Sequence, residues 1–411
     1  MYQLKFTLKQ HTPIIHFQHD QDGATLRTSE VKPKLDRFII KQMGGKDKVP
    51  KEWVNNEEKG SLNYKLRIEA NGKVSYFLPL ARFLNNAKSN GLANEIALEF
   101  GYIMPSCYFG NEDKFKFISD SFEIDSQSSK LNELRFGVMN SSIEVSILND
   151  NIKLNKWLEE NLNEFFLVNN FGTRHDKGYG SFTIKECLKG EIVLENLQDK
   201  LKDCFIKKRV LNNRCSQNDI FNVIDEEYQL LKSGINLPSF GGKPERYEKS
   251  ELFKYFIENG IRWEKRKIKQ ELNSNGITLK KRKEPLDVNN NTKQDYNSYR
   301  DIQQNNYQYI RALLGLGEHV EYLTENGGRV KVKITHKPQN GEEKIDRFQS
   351  PIIFKVIDNI IYVGISHSVN AILNKKFNFS GEGVSFDLMT PDAFNINEFL
   401  EKHLNNNWKK L

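Results

Sequence analysis

A short segment rich in glycine and in cations is the part of the sequence best suited to contact phosphate. FGTRHDKGYGSF spans residues 171–182 and carries Gly172, Gly178 and Gly180. Glycine allows positive φ and lets another backbone approach without a Cβ in the way, and successive amide N–H groups in such a loop form a concave anion site. The loop adds three side chains that donate hydrogen bonds or carry charge: Arg174, His175 and Lys177. The segment predicts an anion site, with a solvated β-turn as the alternative.

The spacing within this loop excludes two common nucleotide-binding motifs. The Walker phosphate loop ends in Gly-Lys followed by Ser or Thr, which the segment lacks. The dinucleotide fingerprint follows a strand and opens a helix, whereas here a helical pattern precedes the loop and a strand pattern follows it. Contact with an RNA backbone and a plain turn both remain open.

A predicted helix near the N-terminus carries a second group of cations. Residues 28–45 place four apolar side chains on one stripe at helical spacing. The remaining surface and the residue just before the helix carry Arg27, Lys32, Lys34, Arg37 and Lys41. A polyanion can lie along such a face through salt-sensitive phosphate contacts, and a solvated helix surface is the alternative.

A third group of cations lies in the second half of the chain. Between Arg262 and Lys283 there are nine Lys and Arg against two Glu, a local net charge of +7 that equals the net charge of the whole chain. Charge concentrated in this way favours a binding patch, which includes Lys265 and Arg266. Trp263 either stacks on a base or belongs to a helix core.

The composition is that of a globular chain with a mildly basic balance. Its 411 residues suffice for two domains, and 61 Lys and Arg stand against 54 Asp and Glu. The four cysteines, Cys107, Cys187, Cys204 and Cys215, match no zinc spacing and no disulfide framework. The sequence also lacks a signal-peptide pattern and an apolar stretch long enough to span a bilayer. We therefore expect a cytoplasmic protein with no membrane contact, no metal and no cofactor.

The order of predicted elements indicates an α+β fold. A strand opens the chain and the helix follows. A hairpin turns at Asn71-Gly72, further strand patterns include residues 93–103, and then come a second helix, the glycine-rich loop and a strand at 181–188. This order suggests a ferredoxin-like first domain over residues 1–190. The second domain, 191–411, then contains a helical, basic insertion at about 193–310. Its residues 284–309 are polar and rich in Asn and Gln, and FGGKPERYEKS from Phe240 is a candidate second glycine-rich loop.

The glycine-rich loop resembles that of the RAMP superfamily of CRISPR-associated RNA-binding proteins. Their loop has the form G-[FY]-G-[ST]-R-x-x-x-G-[FY]-G-S, and Asn170 stands here where a further glycine often sits. The matching positions are Gly172, Arg174, Gly178, Tyr179, Gly180 and Ser181.

Both ends of the chain resemble one member of that superfamily, the large two-unit subunit that caps the type III-B (Cmr) effector filament. Residues 12–39 are similar to its opening strand, glycine-containing loop and LR-x-SE-[IL]-K-x-x-L-R-[FW] helix. RFQSPIIFKV, residues 347–356, is similar to its R-x-x-SP-[IL] strand, and RALLGL, 311–316, fits a short helix. Two tryptophans that often follow the first helix are replaced here by Ile39 and Ile40.

The resemblance implies two ferredoxin-like (RRM-like) RAMP units, the second with a helical insertion. It also implies a subunit that binds CRISPR RNA, target RNA or both beside other effector subunits in antiviral defence. In that family the target-cleaving acid belongs to the repeated backbone subunit, so we expect no catalytic residue here. We expect RNA to contact Arg27, Lys32, Lys34, Arg37, Gly172, Arg174, His175, Lys177, Gly178, Gly180, Arg262, Lys265 and Arg266.

Two other functions remain open. An endoribonuclease of the same superfamily would process CRISPR precursor RNA with His11, His16 or His175 as acid or base. A scaffold would use the same basic patches to meet an acidic protein partner. Neither alternative is excluded by residue types and spacing alone.

Overall fold

The computed structural model describes residues 1–16, 25–79, 102–103, 137–194, 197–237, 246–280, 306–339 and 341–411. Several predicted features lie wholly or largely outside these residues: the strand at 93–103, the second glycine-rich loop from Phe240, the polar segment at 284–309 and Cys107. The helices are α1 (Thr28–Gln42), α2 (Ile152–Val168), α3 (Leu197–Cys204), α4 (Gln217–Lys232), α5 (Glu251–Glu258), α6 (Glu264–Ser274) and α7 (Ile396–His403).

The strands are numbered β1–β22 in chain order. The first half contains β1 (Tyr2–Gln10), β2 (Ile14–Ile15), β3 (Val54–Asn56), β4 (Ser61–Leu62), β5 (Lys65–Ala70), β6 (Val74–Pro79), β7 (Tyr102–Ile103), β8 (Gly137–Asn140), β9 (Ile143–Asn149), β10 (Phe182–Lys189) and β11 (Phe205–Val210). The second contains β12 (Ile235–Leu237), β13 (Arg246–Glu248), β14 (Arg262–Trp263), β15 (Tyr307–Gln308), β16 (His319–Leu323), β17 (Arg329–His336), β18 (Ile352–Ile357), β19 (Ile360–Ile365), β20 (Lys376–Gly381), β21 (Val384–Met389) and β22 (Lys409–Lys410).

One compact unit comprises Met1–Asp225, Ile353–Gly364 and Lys409–Leu411. Its first sheet has the order β10-β1-β9-β5, and every neighbouring pair is antiparallel. Leu4, Phe6 and Leu8 alternate along β1 and are buried, as the period of a strand requires. The apolar faces of α1 and α2 join the same core.

A second sheet of this unit combines a strand from the middle of the chain with strands from its C-terminal part. Its order is β18-β19-β11-β22, so strands near residues 362 and 410 pair with a strand near residue 207. The segment RFQSPIIFKV thus supplies β18 to the unit that contains the glycine-rich loop. Local sequence patterns identify such a strand but not its pairing partner.

The other compact unit comprises Glu226–Ile352 and Ile365–Trp408. Its main sheet has the order β16-β17-β20-β21 and is antiparallel throughout. The residues predicted as a short helix around RALLGL form a 3-10 helix, Ile310–Leu314. Arg311 within this helix forms an ion pair with the buried Glu264.

The described residues therefore have an α+β fold with several antiparallel sheets, as the order of elements predicted. The compact units do not divide the chain at residue 190, because β18, β19 and β22 join the N-terminal unit. The division into domains at 1–190 and 191–411 stays a prediction.

Candidate nucleic-acid interface

The glycine-rich loop adopts a backbone conformation that favours glycine at three positions. Gly172 and Gly178 both have φ of 83° and Gly180 has φ of 63°, all in the left-handed region. Arg174 also has positive φ, at 56°, which is uncommon for a residue with a side chain. The loop is a tightly wound segment whose shape depends on its glycines.

Neighbouring protein atoms also exclude side chains at these glycines. A Cβ on Gly180 would lie 1.9 Å from Phe171 O, and one on Gly178 would lie 2.8 Å from Ile224 Cδ1. A Cβ on Gly172 would lie 2.8 Å from Ile15 O. Gly178 and Gly180 are buried and Gly172 is half-buried. We expected glycine here in order to admit an RNA backbone, and the contacts show that the fold itself requires these residues.

Loop amides donate to acceptors within the protein. Gly172 N donates to the carboxylate of Glu30, and Thr173 N donates to Ile15 O over 2.8 Å. Gly180 N donates to Pro13 O over 2.9 Å. The anion that meets the loop backbone is thus a carboxylate of the chain itself. The expectation that loop amides lie open to phosphate is corrected at these positions.

Strand β18 holds the base of the loop through hydrogen bonds. Asn170 Nδ2 donates to His175 O and to Phe354 O, each over 2.7 Å. Phe354 N donates to Asp176 O over 3.0 Å, and Ser181 Oγ donates to Val356 O over 2.6 Å. These bonds cross the loop and pair it with a segment about 180 residues later in the sequence. The side chain of Asn170 therefore makes hydrogen bonds within the loop and to β18 that a glycine at this position cannot make.

Lys355 is buried directly beneath the loop. Its side chain is 0% exposed, and Nζ donates to three carbonyl oxygens, those of Phe166, Asn169 and Phe182, over 2.7–2.9 Å. Burial lowers the pKa of Lys355 well below its ordinary value, and Lys34 adds to the effect. The three acceptors match the three donors of an ammonium group, so this lysine joins α2, Asn169 at the end of that helix, and the start of β10.

Helix α1 packs against the loop through two charged side chains. Glu30 accepts from Gly172 N, and Lys34 Nζ donates to Asn170 O over 2.7 Å. Lys34 Nζ also lies 4.9 Å from the centre of the Phe171 ring and 3.7 Å from the Glu30 carboxylate. We call Arg27, Glu30, Lys34, Arg37 and residues 172–177 the helix–loop surface. The structure thus brings together two motifs that the sequence separates by more than 130 residues.

The predicted cations of α1 differ in their availability to a ligand. Lys32 Nζ donates to Asp36 and to Leu62 O, each over 3.0 Å, and lies 4.2 Å from the Tyr64 ring centre. Burial lowers the pKa of Lys34, which is engaged as described above. Arg37 and Lys41 are exposed, and Arg27 is half-buried like Arg174, His175 and Lys177.

The third predicted patch is only partly at the surface. Arg262 is 6% exposed, and its guanidinium lies against the Tyr307 ring with a centre distance of 6.0 Å. Lys265 is half-buried over Trp263, whereas Arg266 is exposed. Trp263 is half-buried and packs against Phe253 with ring centres 5.0 Å apart. Burial removes Arg262 from any surface that a phosphate can reach in this conformation.

The histidines proposed for acid–base chemistry are engaged by the protein. His11 is 6% exposed, its Nδ1 accepts from Asp358 N over 3.0 Å, and its Nε2 lies 2.8 Å from Thr183 Oγ1. Burial lowers the pKa of His11 to about 4, with a further contribution from Lys355, so it is neutral at pH 7. His16 is 2% exposed, and burial also lowers the pKa values of His16 and His175. Buried histidines with lowered pKa values are poorly suited to act as the acid or base of a nuclease in this conformation.

Two further expectations concern metals and membranes. Among the described residues, no group of three or more His, Cys, Asp and Glu side chains is arranged to hold a metal ion. The described helices include none with the length and apolar character needed to cross a bilayer. Cys187, Cys204 and Cys215 are free thiols.

Three residues that shape this surface have no clear sequence signal of their role. Glu30 and Lys355 fall within recognised motifs, but nothing in their spacing shows that a carboxylate caps the loop or that an ammonium lies beneath it. Asn170 differs in the sequence only by departing from the glycine pattern. The asparagine at a loop position where the family pattern often has glycine is the one sign in the sequence that any of these three residues has a special role.

Comparisons with known proteins cover almost the whole chain. The family profile for the Cmr1 N-terminal domain matches residues 1–235, and that for the Cmr1 C-terminal domain matches residues 247–411. Among solved structures, the chain is similar to the crystal structure of Cmr1 from Pyrococcus furiosus in its apo form. The alignment has 11% sequence identity and a TM-score of 0.37, and it covers 100% of this chain and 98% of that chain. No curated protein sequence matches the chain.

Proposed function

The chain belongs to the Cmr1 family, and from that premise we propose that it is a non-catalytic, RNA-binding subunit of the type III-B CRISPR effector complex. It is a RAMP-superfamily CRISPR-associated protein, and its family links it to the Cmr complex. In this proposal it binds CRISPR RNA, target RNA or both at the end of the effector filament, beside other CRISPR subunits in the cytoplasm.

The observation that carries the proposal is the joining of α1 to the glycine-rich loop. The Glu30 and Lys34 contacts join the cationic helix to the cationic loop within the first unit. Arg37 is exposed on α1, and Arg174 is half-buried in the loop. Clustered cations of this kind contact phosphates without reading base identity. Residues that the fold itself uses are left out of the proposed contacts, namely Lys32, Lys34, Gly172, Lys177, Gly178, Gly180 and Arg262.

The open face of the first sheet supports binding through the RNA backbone. RRM-like sheets read RNA by stacking bases on aromatic side chains. On β1 and β9 the side chains that alternate with the buried set are Gln3, Lys5, Thr7, Lys9, Glu144, Ser146 and Leu148. These two central strands present no aromatic ring on that face, so the cations of the helix–loop surface are the better contacts.

We also propose that the first unit is a ferredoxin-like RAMP unit. Its elements run β1, α1, β5, β9, α2, β10, and the sheet order β10-β1-β9-β5 agrees with the split βαβ pattern of that fold. The division into two RAMP domains at 1–190 and 191–411, with the helical insertion in the second, forms part of this proposal.

A double variant tests the helix–loop surface. Arg37→Gln and Arg174→Asn remove two cations, and Asn at position 174 tolerates the positive φ of the loop. We expect single-stranded RNA affinity to fall by about 1–3 kcal/mol and the salt dependence to weaken by one to two phosphate contacts. The control, Lys153→Gln with Lys156→Gln, changes the net charge equally on exposed positions of α2. If wild type binds RNA and the double variant binds it equally tightly throughout a salt titration, the scaffold function is favoured.

The endoribonuclease alternative has its own test. Wild-type protein is incubated with CRISPR repeat RNA in the absence of metal, and the products are resolved by length. The proposed function predicts intact RNA. A discrete product that disappears in His11→Asn or His175→Asn would contradict the non-catalytic assignment.

A further inference from the structure

Strand β17 of the second unit carries a regular row of cations on one face. Val330, Val332 and Ile334 are buried, and the side chains that alternate with them point to the opposite face. We call Arg329, Lys331, Lys333 and Lys337, which follows the strand, the β17 stripe. Arg329, Lys331 and Lys337 have exposed side-chain fractions of 60%, 56% and 51%, and Lys333 is also exposed. The helix–loop surface does not include any of these residues.

The neighbouring strands extend this face with polar side chains. Across β16, Arg329, Lys331 and Lys333 pair with Leu323, Glu321 and His319. Across β20, Lys333 pairs with Ser380 and Thr335 with Asn378. Lys376 on β20 adds a fifth cation, and Glu321 and Asp387 are the carboxylates on these strands that pair with the cations. The face therefore has a net positive charge that is arranged along one direction.

We propose that the outer face of this sheet binds the phosphate backbone of single-stranded RNA along the β17 stripe. This inference rests on the proposed function, because that function supplies RNA as the partner. Residues two apart on a strand are separated by about 6.6–6.8 Å. Such a repeat approximates the spacing of phosphates along an extended single strand, so successive cations can meet successive phosphates.

The composition of the face favours a polyanion with a repeating charge over an acidic protein. The core of a protein–protein interface is usually apolar and depleted in charged residues. On the four described strands, the outward side chains between the cations are His319, Glu321, Thr335, Asn378, Ser380, Ser385 and Asp387. Apolar side chains lie only at the margins, at Leu323 and Met389. Hydroxyl and amide groups between cations suit phosphate and ribose oxygens.

The strands position these cations through their backbone, and the side chains of Arg329, Lys331, Lys337 and Lys376 form ion pairs with Glu321 or Asp387. Strand amides pair with neighbouring strands, so the fold does not need lysine or arginine to satisfy its backbone. Glu321 is shared between Arg329 at 3.4 Å and Lys331 at 3.8 Å, which are long and solvent-exposed contacts. Exposed ion pairs of this kind contribute little, so a phosphate can replace the carboxylate at small cost.

The test compares three variants of the full chain with wild type. The stripe variant carries Arg329→Gln, Lys331→Gln and Lys333→Gln, and the control variant carries Lys153→Gln, Lys156→Gln and Lys402→Gln. All six positions are exposed, and both variants lose three charges. The third is the Arg37→Gln and Arg174→Asn variant. Binding to a fluorescent oligouridine is measured as a function of salt, and melting temperature reports folding.

We expect the stripe variant to bind oligouridine about tenfold more weakly at low salt, with a salt slope reduced by about two and an unchanged melting temperature. The control variant should retain at least half of the wild-type affinity. If the stripe variant binds as wild type while the helix–loop variant is weakened, the stripe proposal is wrong and the proposed function stands. If wild type binds no RNA at low salt, both proposals fail. Capture of an acidic protein by wild type but not by the stripe variant, with equal RNA binding, would assign the face to a protein partner.

Discussion

The glycine-rich loop and the β17 stripe are both cationic, yet the protein uses their polar groups in opposite ways. In the loop, amides and nearby ammonium groups turn inward: Gly172 N meets Glu30, and Lys34 meets Asn170 O. In the stripe, Arg329 and Lys331 have more than half of their side chains exposed. Clusters of cations in the sequence thus differ in their availability for a ligand once the chain is folded.

The difference follows from backbone hydrogen bonding. A loop that folds back on itself must satisfy its buried amides and carbonyls with side chains or distant backbone. A strand inside a sheet has these bonds from its neighbours, so its outward side chains remain available. Cations beside an irregular loop are therefore weaker evidence for a ligand than cations that alternate along a sheet.

The largest effect that we predict is the loss of stability when the buried cation Lys355 is replaced. Replacing it by Met leaves three buried carbonyl oxygens without the ammonium donor. We expect Lys355→Met to lower the free energy of unfolding by about 3–5 kcal/mol, measured by urea denaturation. Lys333→Met, on the exposed stripe, should change it by less than about 0.5 kcal/mol. Similar small losses in both variants would show that the loop does not depend on the buried cation.

A second comparison uses two glycines with positive φ. Gly180 has φ of 63° and a Cβ there would meet Phe171 O, whereas Gly327 has φ of 80° and no heavy atom within 4 Å of a Cβ. Gly180→Ala should lower the free energy of unfolding by about 2–4 kcal/mol, and Gly327→Ala by about 1 kcal/mol, from backbone strain alone. Equal losses, measured by chemical denaturation, would mean that the loop relaxes without cost.

Local patterns in the sequence were sufficient to predict most elements. The apolar stripe of α1, the strand before it and the helix before the loop all follow from periodicity, and the structure confirms them. Helix α1 begins at Thr28, and Arg27 occupies its N-cap position without a side-chain bond. Its backbone carbonyl already accepts from Val31 N.

The sequence alone did not predict which distant segments pair with one another in the folded protein. Cations appear identical in a sequence whether they are exposed, as Arg37 is, or buried, as Arg262 and Lys355 are. Their burial depends on which distant strand covers them, and β18 pairs with the loop across about 180 residues. The glycine pattern identified the loop correctly but could not distinguish glycines needed for packing from glycines needed for a ligand.

A pH titration tests the inward-facing environment of the loop region. Burial lowers the pKa of His11 from 6.5 to about 4, so the unfolded chain binds this proton more readily than the folded chain. The stabilisation is therefore complete above pH 6.5 and is lost as the pH falls from 6.5 towards 4. Over that interval wild type should lose about 1–3 kcal/mol more stability than His11→Asn, which has no proton to gain there. Parallel pH profiles of the two proteins would contradict the buried, neutral state of His11.

The smallest expected effect concerns the carboxylate that occupies the loop. Glu30→Gln keeps an oxygen that can accept from Gly172 N but removes a negative charge from the helix–loop surface. RNA affinity should rise by about 0.5–1 kcal/mol at low salt, and the gain should shrink as salt screens the charge. Glu321→Gln makes the same change beside the β17 stripe and should raise affinity by a similar or smaller amount, because that carboxylate is more exposed. A fall in affinity for Glu30→Gln, with unchanged stability, would mean that the carboxylate positions the loop for RNA. In that case the inward contacts of the loop would be part of the binding site. The helix–loop surface and the β17 stripe would then differ in how their groups are positioned for RNA, and not in how accessible those groups are.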